Sequence, residues 1–305
     1  MRATTTPESI GHAGDATDAR AAVILRERRA FSRGLASAVV IVLVLCLVYS
    51  FATSSIKWEV VAGYLLSARV LDGLWATLAL WIVALVLGVA VGFAVAMMQV
   101  AGPFVVRSAA AGFVWLFRGV PVYVQFLVWF NIAVVFPVLW LPGRGEVPTV
   151  EVVTPFVAST LALALSEAAY LAEIIRGGIL SVDKGQREAA RALGIHAPLA
   201  MTRIVLPQAM RSILPPAGNE AITLLKTTSL AAAIGYTELL TTSQTIYYNN
   251  GRVMELLIVA SVWYLVVTSL LSIGQHFIEK RYSFTGRTPR AAARPAPFRR
   301  KAVAQ

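Results

Sequence analysis

The chain is expected to fold as an all-α polytopic membrane protein with about six transmembrane helices, and three observations predict it. Hydrophobic residues make up 57% of the 305 and charged residues only 14%. The apolar residues fall in long uncharged runs instead of alternating with period two, which points to helices. Three of those runs, Gly34 to Ile56, Gly73 to Val106 and Leu256 to Ile278, hold 23, 34 and 23 residues, each meeting the roughly 20 residues needed to cross about 30 Å of hydrocarbon.

Residues 1–33 read as a polar N-terminal tail. The run from Gly34 follows it with no small-residue cleavage site, so it is expected to be a retained signal anchor. Its Cys46 is the only cysteine, which excludes an intrachain disulfide and argues against redox chemistry. Gly73 to Val106 is the second span. Gly119 to Gly143 is the third, extended towards Ser108 through Arg118. Val152 to about Leu180 and Ser212 to about Leu240 are the fourth and fifth, apolar apart from Glu167, Glu173 and Arg176 in one and Glu220, Lys226 and Glu238 in the other. Leu256 to Ile278 is the sixth. The transmembrane domain thus covers 34–282, and 283–305, with Pro289, Pro295 and Pro297 among Arg and Ala, reads as a disordered basic tail.

Lys and Arg are retained on the cytoplasmic side. The N-terminal tail holds six Arg, the segment between the fourth and fifth spans holds Arg176, Lys184, Arg187, Arg191, Arg203 and Arg211, and the stretch from Lys280 holds eight basic residues. The opposite loops hold only Lys57, Arg69, Arg144 and Arg252. Both termini are therefore expected in the cytoplasm. The net charge of +11 is a topology signal that calls for no nucleic-acid partner, with attraction to anionic membrane lipid a secondary effect. His12, His196 and His276 have no metal-ligand spacing, so no metal and no catalytic residue is assigned.

The polar segment at about 181–207 carries the most information. Asp183, with Gln186 three residues on, resembles a capping box. A short helix through Glu188, Ala189, Ala190 and Leu193 then meets Gly194, placed for a left-handed C-cap. Pro198 suits the first turn of a second short helix, which Pro207 would end or kink. Helices this short are marginal alone in water and need something to pack on. Ala189, Ala190 and Leu193 offer a narrow apolar stripe for a groove on another protein.

Glu188, Ala189, Ala190, Gly194, Ile204, Leu206 and Pro207 spell EAA-x3-G-x9-I-x-LP. The triplet alone is common, but the full spacing resembles the integral membrane subunits of ABC importers, where this loop docks on the ATP-hydrolysing subunit. Phe117, Arg118, Gly119, Pro121 and Gln125, the run Ala169 to Gly178, Lys184 to Gln186, Leu206 to Ala209, Pro215 to Glu220 and Leu224 to Leu230 are similar to segments of the polar amino acid importers. The likeness covers about 57–282. Two departures stand out: Thr227 occupies a position where an acidic residue is expected after the lysine, which weakens inference of a cationic substrate, and an extra span precedes the five-span core.

The resemblance implies a multi-pass protein of the bacterial inner membrane. Its implied partners are a dimer of ABC ATPase subunits, a second permease subunit (a homodimer or a sister chain) and an extracytoplasmic amino acid binding protein. None of the five lysines lies in a GxxxxGK[ST] frame, so ATP and Mg²⁺ belong on the partner ATPase. Ionisable groups inside spans face a cavity or each other. Ser166, Tyr170 and Glu173 share one helical face, and with Asn219, Thr227 and Ser229 they form the candidate substrate pathway for an amino acid zwitterion. Arg118, Gln125, Glu220 and Lys226 are candidates for a gate or for packing. The competing class is a secondary amino acid transporter driven by an ion gradient, with Glu173 and Lys226 as a proton relay; it leaves the capped segment without a purpose, and no inverted repeat is evident.

Overall fold

A computed structural model describes residues 36–283; the N-terminal tail and all but the first residue of the C-terminal tail lie outside them. The chain divides into two units, Met1–Lys57 and Trp58–Gln305. In the first, α1 (Ala36–Ala52) is an apolar helix shorter than a full bilayer crossing.

In the second unit α2 (Trp58–Leu65) leads into α3 (Ala68–Ala101), α4 (Phe104–Gly119) and α5 (Val122–Phe130). Then come a 3₁₀ turn at Ile132–Val134 and two strands, β1 (Val138–Leu141) and β2 (Gly145–Pro148). The short α6 (Thr149–Val152) precedes α7 (Pro155–Ser181), α8 (Lys184–Ala192) and α9 (Ala197–Ala200). A wide π turn at Met201–Val205 opens into α10 (Leu206–Thr227), followed by a 3₁₀ stretch at Thr228–Ile234, α11 (Leu239–Asn250) and α12 (Val253–Ser283).

Five of the six apolar segments are helical over most of their length. Among the described residues α3, α7 and α12 are long and apolar enough to cross a membrane, and the pair α4 and α5 is a fourth if its 101° bend is counted within one span. The remaining two segments contain α1, which is short, and α10, whose Arg211, Glu220 and Lys226 lower its hydropathy. The expected third span, Gly119 to Gly143, differs most. Its helix stops at Phe130, and its last residues enter an antiparallel hairpin pairing Val138 with Pro148 and Leu141 with Gly145. Pro137 and Pro142 cannot continue a helix, and Gly143 and Gly145 take the positive φ of 80° and 72° that the turn requires.

Helix α7 is the hub: 72% of its most apolar window is buried, against 28% for α3 and 17% for α12, whose outer faces are left for lipid. Small residues allow the close crossing of α3 and α7. A Cβ at Gly92 would stand 2.8 Å from the Ala168 carbonyl oxygen and 3.0 Å from Leu171 Cβ. One core cluster packs Val95, Leu171, Ile175, Ile179, Val205 and Ile213; the other packs Leu80, Phe126, Leu163, Leu224 and Ile234.

Two polar knots fix the path of the backbone. Pro121 has no N–H for the Phe117 carbonyl four residues back, and buried Gln125 supplies the donor, its Nε2 reaching Phe117 O at 3.0 Å and Val120 O at 2.9 Å. Gln125 therefore seals the α4/α5 bend. Gln125→Leu will leave both carbonyls without that donor and cost about 1–3 kcal/mol, read as a lower midpoint of thermal unfolding in detergent; an unchanged midpoint would show the bend to be held by packing alone. The second knot is Glu238, the fully buried N-cap of α11. It accepts from Leu240 N and Thr241 N at 2.8 Å each and from the Tyr264 hydroxyl of α12 at 2.8 Å, with Thr77 of α3 3.4 Å away.

Candidate functional site

The polar segment folds as helix, sharp turn, helix. Asp183 caps α8 by accepting from Gly185 N at 2.6 Å. The reciprocal arm of a capping box is absent, because Gln186 Oε1 instead accepts from Gln208 Nε2 at 3.4 Å. At the other end Gly194 adopts φ 71°; its N–H donates to Arg191 O and that of Ile195 to Ala190 O, both at 2.9 Å, which is a Schellman closure. Arg187 donates to the Ile179 carbonyl and ties α8 to the end of α7.

The expected docking stripe is corrected at one position. Glu188, Ala189 and Leu193 are exposed, Leu193 by 77%, whereas Ala190 is buried at 2%. Residues 189 and 193 lie one above the other at i and i+4, while 190 is turned about 100° away, so the outward face consists of Glu188, Ala189 and Leu193. Ile204 and Leu206 are half-buried, and Leu206 packs on the core cluster around Val205. Pro198 sits in the first turn of α9 as expected. Pro207 does not break the chain's course: it occupies the first turn of α10 directly after the π turn, where the Leu206 N–H reaches back to Met201 O. α9, the π turn and α10 form one continuous helical rod.

That rod leads to a cavity of about 250 Å³ lined by Ser166, Glu167, Tyr170, Glu220, Thr223 and Thr227, with Val122, Leu163 and Leu224 as apolar wall. Of the six residues expected in the substrate pathway, Ser166, Tyr170 and Thr227 meet here. Glu173 does not line it; it forms an ion pair with Arg176, Nη2 to Oε2 at 2.6 Å and Nε to Oε1 at 3.1 Å. Asn219 turns to α12, its Oδ1 accepting from Gln275 Nε2 at 3.3 Å. Ser229 Oγ donates to the Lys226 carbonyl at 2.8 Å, and neither residue is part of the lining.

Glu220, expected in a gate or in packing, is part of the cavity wall, and Arg118 stacks over the Tyr170 ring at 5.0 Å, a cation–π contact. The residue least expected in the wall is Glu167. It is 4% exposed, it packs across Gly88 of α3, and among the described residues its Oε1 has no hydrogen-bond partner. It neighbours Ser166, so a helical-face argument centred on Ser166 and Tyr170 passes close to it; its place three residues before Tyr170 was the available signal. Among the described residues no cluster of three or more His, Cys, Asp or Glu could hold a metal ion.

The family profile described as "Binding-protein-dependent transport system inner membrane component" matches residues 84–284. The arginine transport system permease protein ArgU of Corynebacterium glutamicum is 38% identical over 253 residues, covering 82% of this chain and 80% of that one. The nopaline transport system permease protein NocM of Agrobacterium fabrum is 40% identical over 197 residues, 64% of this chain and 80% of that one. In three dimensions the chain is similar to a crystal structure of an amino acid ABC transporter with histidines, at a TM-score of 0.64 and 32% identity, covering 75% of this chain and all of that one.

Proposed function

Because the chain belongs to the family of inner membrane components of binding-protein-dependent transport systems, as the non-enzymatic permease subunit of an amino acid ABC importer, we propose that its cavity passes a cationic amino acid. The observation that carries this reading is the pairing of Glu167, with a buried carboxylate oxygen lacking a partner, and Glu220 in one small cavity. A buried carboxylate oxygen needs a donor, and two carboxylates suit the α-ammonium and a charged side chain of one solute. Arg118, held over the ring of Tyr170 in the cavity wall, is the group to meet the solute carboxylate. Thr227, where an acidic residue was expected, contributes a hydroxyl, and the carboxyl groups of the cavity are those of Glu167 and Glu220 instead.

In the complete machine a dimer of ATPase subunits binds ATP and Mg²⁺, two permease chains, identical or sisters, enclose the path, and an extracytoplasmic binding protein delivers the solute. Both termini and the α8–α9 segment face the cytoplasm, as the distribution of Lys and Arg supports. Closing of the ATPase pair moves the α8 face, and the rod from α9 through α10 carries that movement to Glu220, Thr223 and Thr227, switching access from one side to the other. The relatives described above give no support to an ion-gradient carrier.

Uptake of arginine and of glutamine by vesicles carrying the whole complex tests the substrate class. Glu167→Gln and Glu220→Gln will each raise the KM for arginine about tenfold to a hundredfold, the range expected for a lost hydrogen bond to a charged group, and will change glutamine uptake far less. Arginine uptake and arginine-stimulated ATP hydrolysis at wild-type levels in both variants would remove the cavity from the pathway.

A further inference from the structure

Transport leaves unexplained a cleft between α10 and α12, at the end of the bundle that carries α8. It encloses about 460 Å³ and is lined by Arg211 and Leu214 on one side and His276, Glu279, Lys280 and Tyr282 on the other. It holds two basic side chains, Arg211 and Lys280, to one carboxylate, Glu279, which accepts from Gln275 Nε2 at 2.7 Å, with imidazole and phenol groups beside them. Leu214 is also a wall of a second hollow, about 500 Å³, between α3, α7 and α10, where only apolar side chains such as Phe93, Leu171, Ile175, Met210 and Ile213 line the space. Beyond the cleft, Ile273, Phe277 and Ile278 of α12 are exposed.

A soluble anion would account for the basic cleft and not for the groove; an apolar helix would account for the groove and not for the cleft. One molecule with an anionic head and an aliphatic tail accounts for both. We propose that this composite site holds an anionic phospholipid, its phosphate between Arg211, His276 and Lys280 and one acyl chain passing Leu214 into the apolar groove. Basic pockets between transmembrane helices at the cytoplasmic side are suited to such headgroups. The position matters for coupling. Pro215, at the floor of the cleft, begins the proline pair inside α10, and its carbonyl accepts from Gln275 Nε2 at 3.0 Å. The lipid therefore braces α10 against α12 between the coupling face and the cavity, whatever amino acid is carried.

The test uses the assembled importer in nanodiscs of phosphatidylcholine with and without phosphatidylglycerol, followed by detergent washing and native mass spectrometry of the lipid retained. Wild type is expected to keep phosphatidylglycerol and release phosphatidylcholine. Arg211→Gln with Lys280→Gln will weaken retention roughly thirtyfold, at the usual contribution of a basic group near anionic lipid, and Leu214→Trp will weaken it by obstructing the passage between the two hollows. If the double variant fails to bring down its ATPase subunit, Lys280→Gln alone, at the exposed end of α12, is expected to lose roughly fivefold. Equal retention of the two lipids by wild type, or retention unchanged by the substitutions, overturns the assignment. So does a cross-link from position 213 to a second permease chain, which would show the groove to be a subunit contact.

Discussion

Glu188→Lys is expected to leave the permease inserted in the membrane, to release its ATPase subunit and to lower uptake by two orders of magnitude or more. Glu188 is the only acidic residue in α8, where Lys184, Arg187 and Arg191 are its neighbours at spacings of four, one and three. It is exposed, so a like charge placed four residues from Lys184 costs the permease itself only about 0.2–0.5 kcal/mol. The large effect arises at the partner surface, where reversing a charge that meets its complement costs about 2–5 kcal/mol. Leu193, 77% exposed beside it, is expected to supply the apolar half of that contact. Co-purification of the ATPase subunit and uptake are measured together. ATPase recovered with the variant at wild-type yield would mean that α8 does not form the docking face.

Glu238→Leu is expected to have the largest effect on stability. The substitution leaves the Leu240 and Thr241 N–H groups and the Tyr264 hydroxyl without their acceptor inside a closed site. Each buried group so stranded costs about 1–3 kcal/mol, and collapse of the whole knot is on the order of 3–5 kcal/mol. Because the knot joins the start of α11 to α3 and α12, the variant will lose yield and unfold at a lower temperature in detergent. Tyr264→Phe, which removes one of the bonds, will cost about 1 kcal/mol. A Glu238→Leu protein with a wild-type unfolding midpoint would show the knot to be dispensable.

The parts of this molecule that could be read in its sequence are those set by local chemistry. Asp183, Gly194 and Pro198 act within one turn of where they stand, so the cap, the left-handed closure and the second helix all lie where their residues place them. The α4/α5 bend was hidden because hydropathy ignores how the Pro121 gap is closed; what decides it is a side chain four residues further on, Gln125, folding back on the Phe117 carbonyl. The cavity was legible as a face and not as an extent. Periodicity correctly put Ser166 and Tyr170 on one side of α7, but Glu173 lies about 10 Å along the axis from Ser166, beyond the residues that line the cavity, and there Arg176 claims its carboxylate. Ala190 failed for a related reason: a stripe drawn from composition does not say which of its members the parent protein keeps for itself.

The π turn at Met201–Val205 has a geometric consequence. Such a turn lodges one surplus residue relative to an α-helix, and one residue corresponds to about 100° of azimuth. The compass bearing of Ala197–Ala200 is therefore set by that surplus, independently of the hydrophobic seam by which α10 is seated among its neighbours. The side that Ala197–Ala200 turns outward can therefore change by one residue in that turn while the seam that seats α10 keeps its packing.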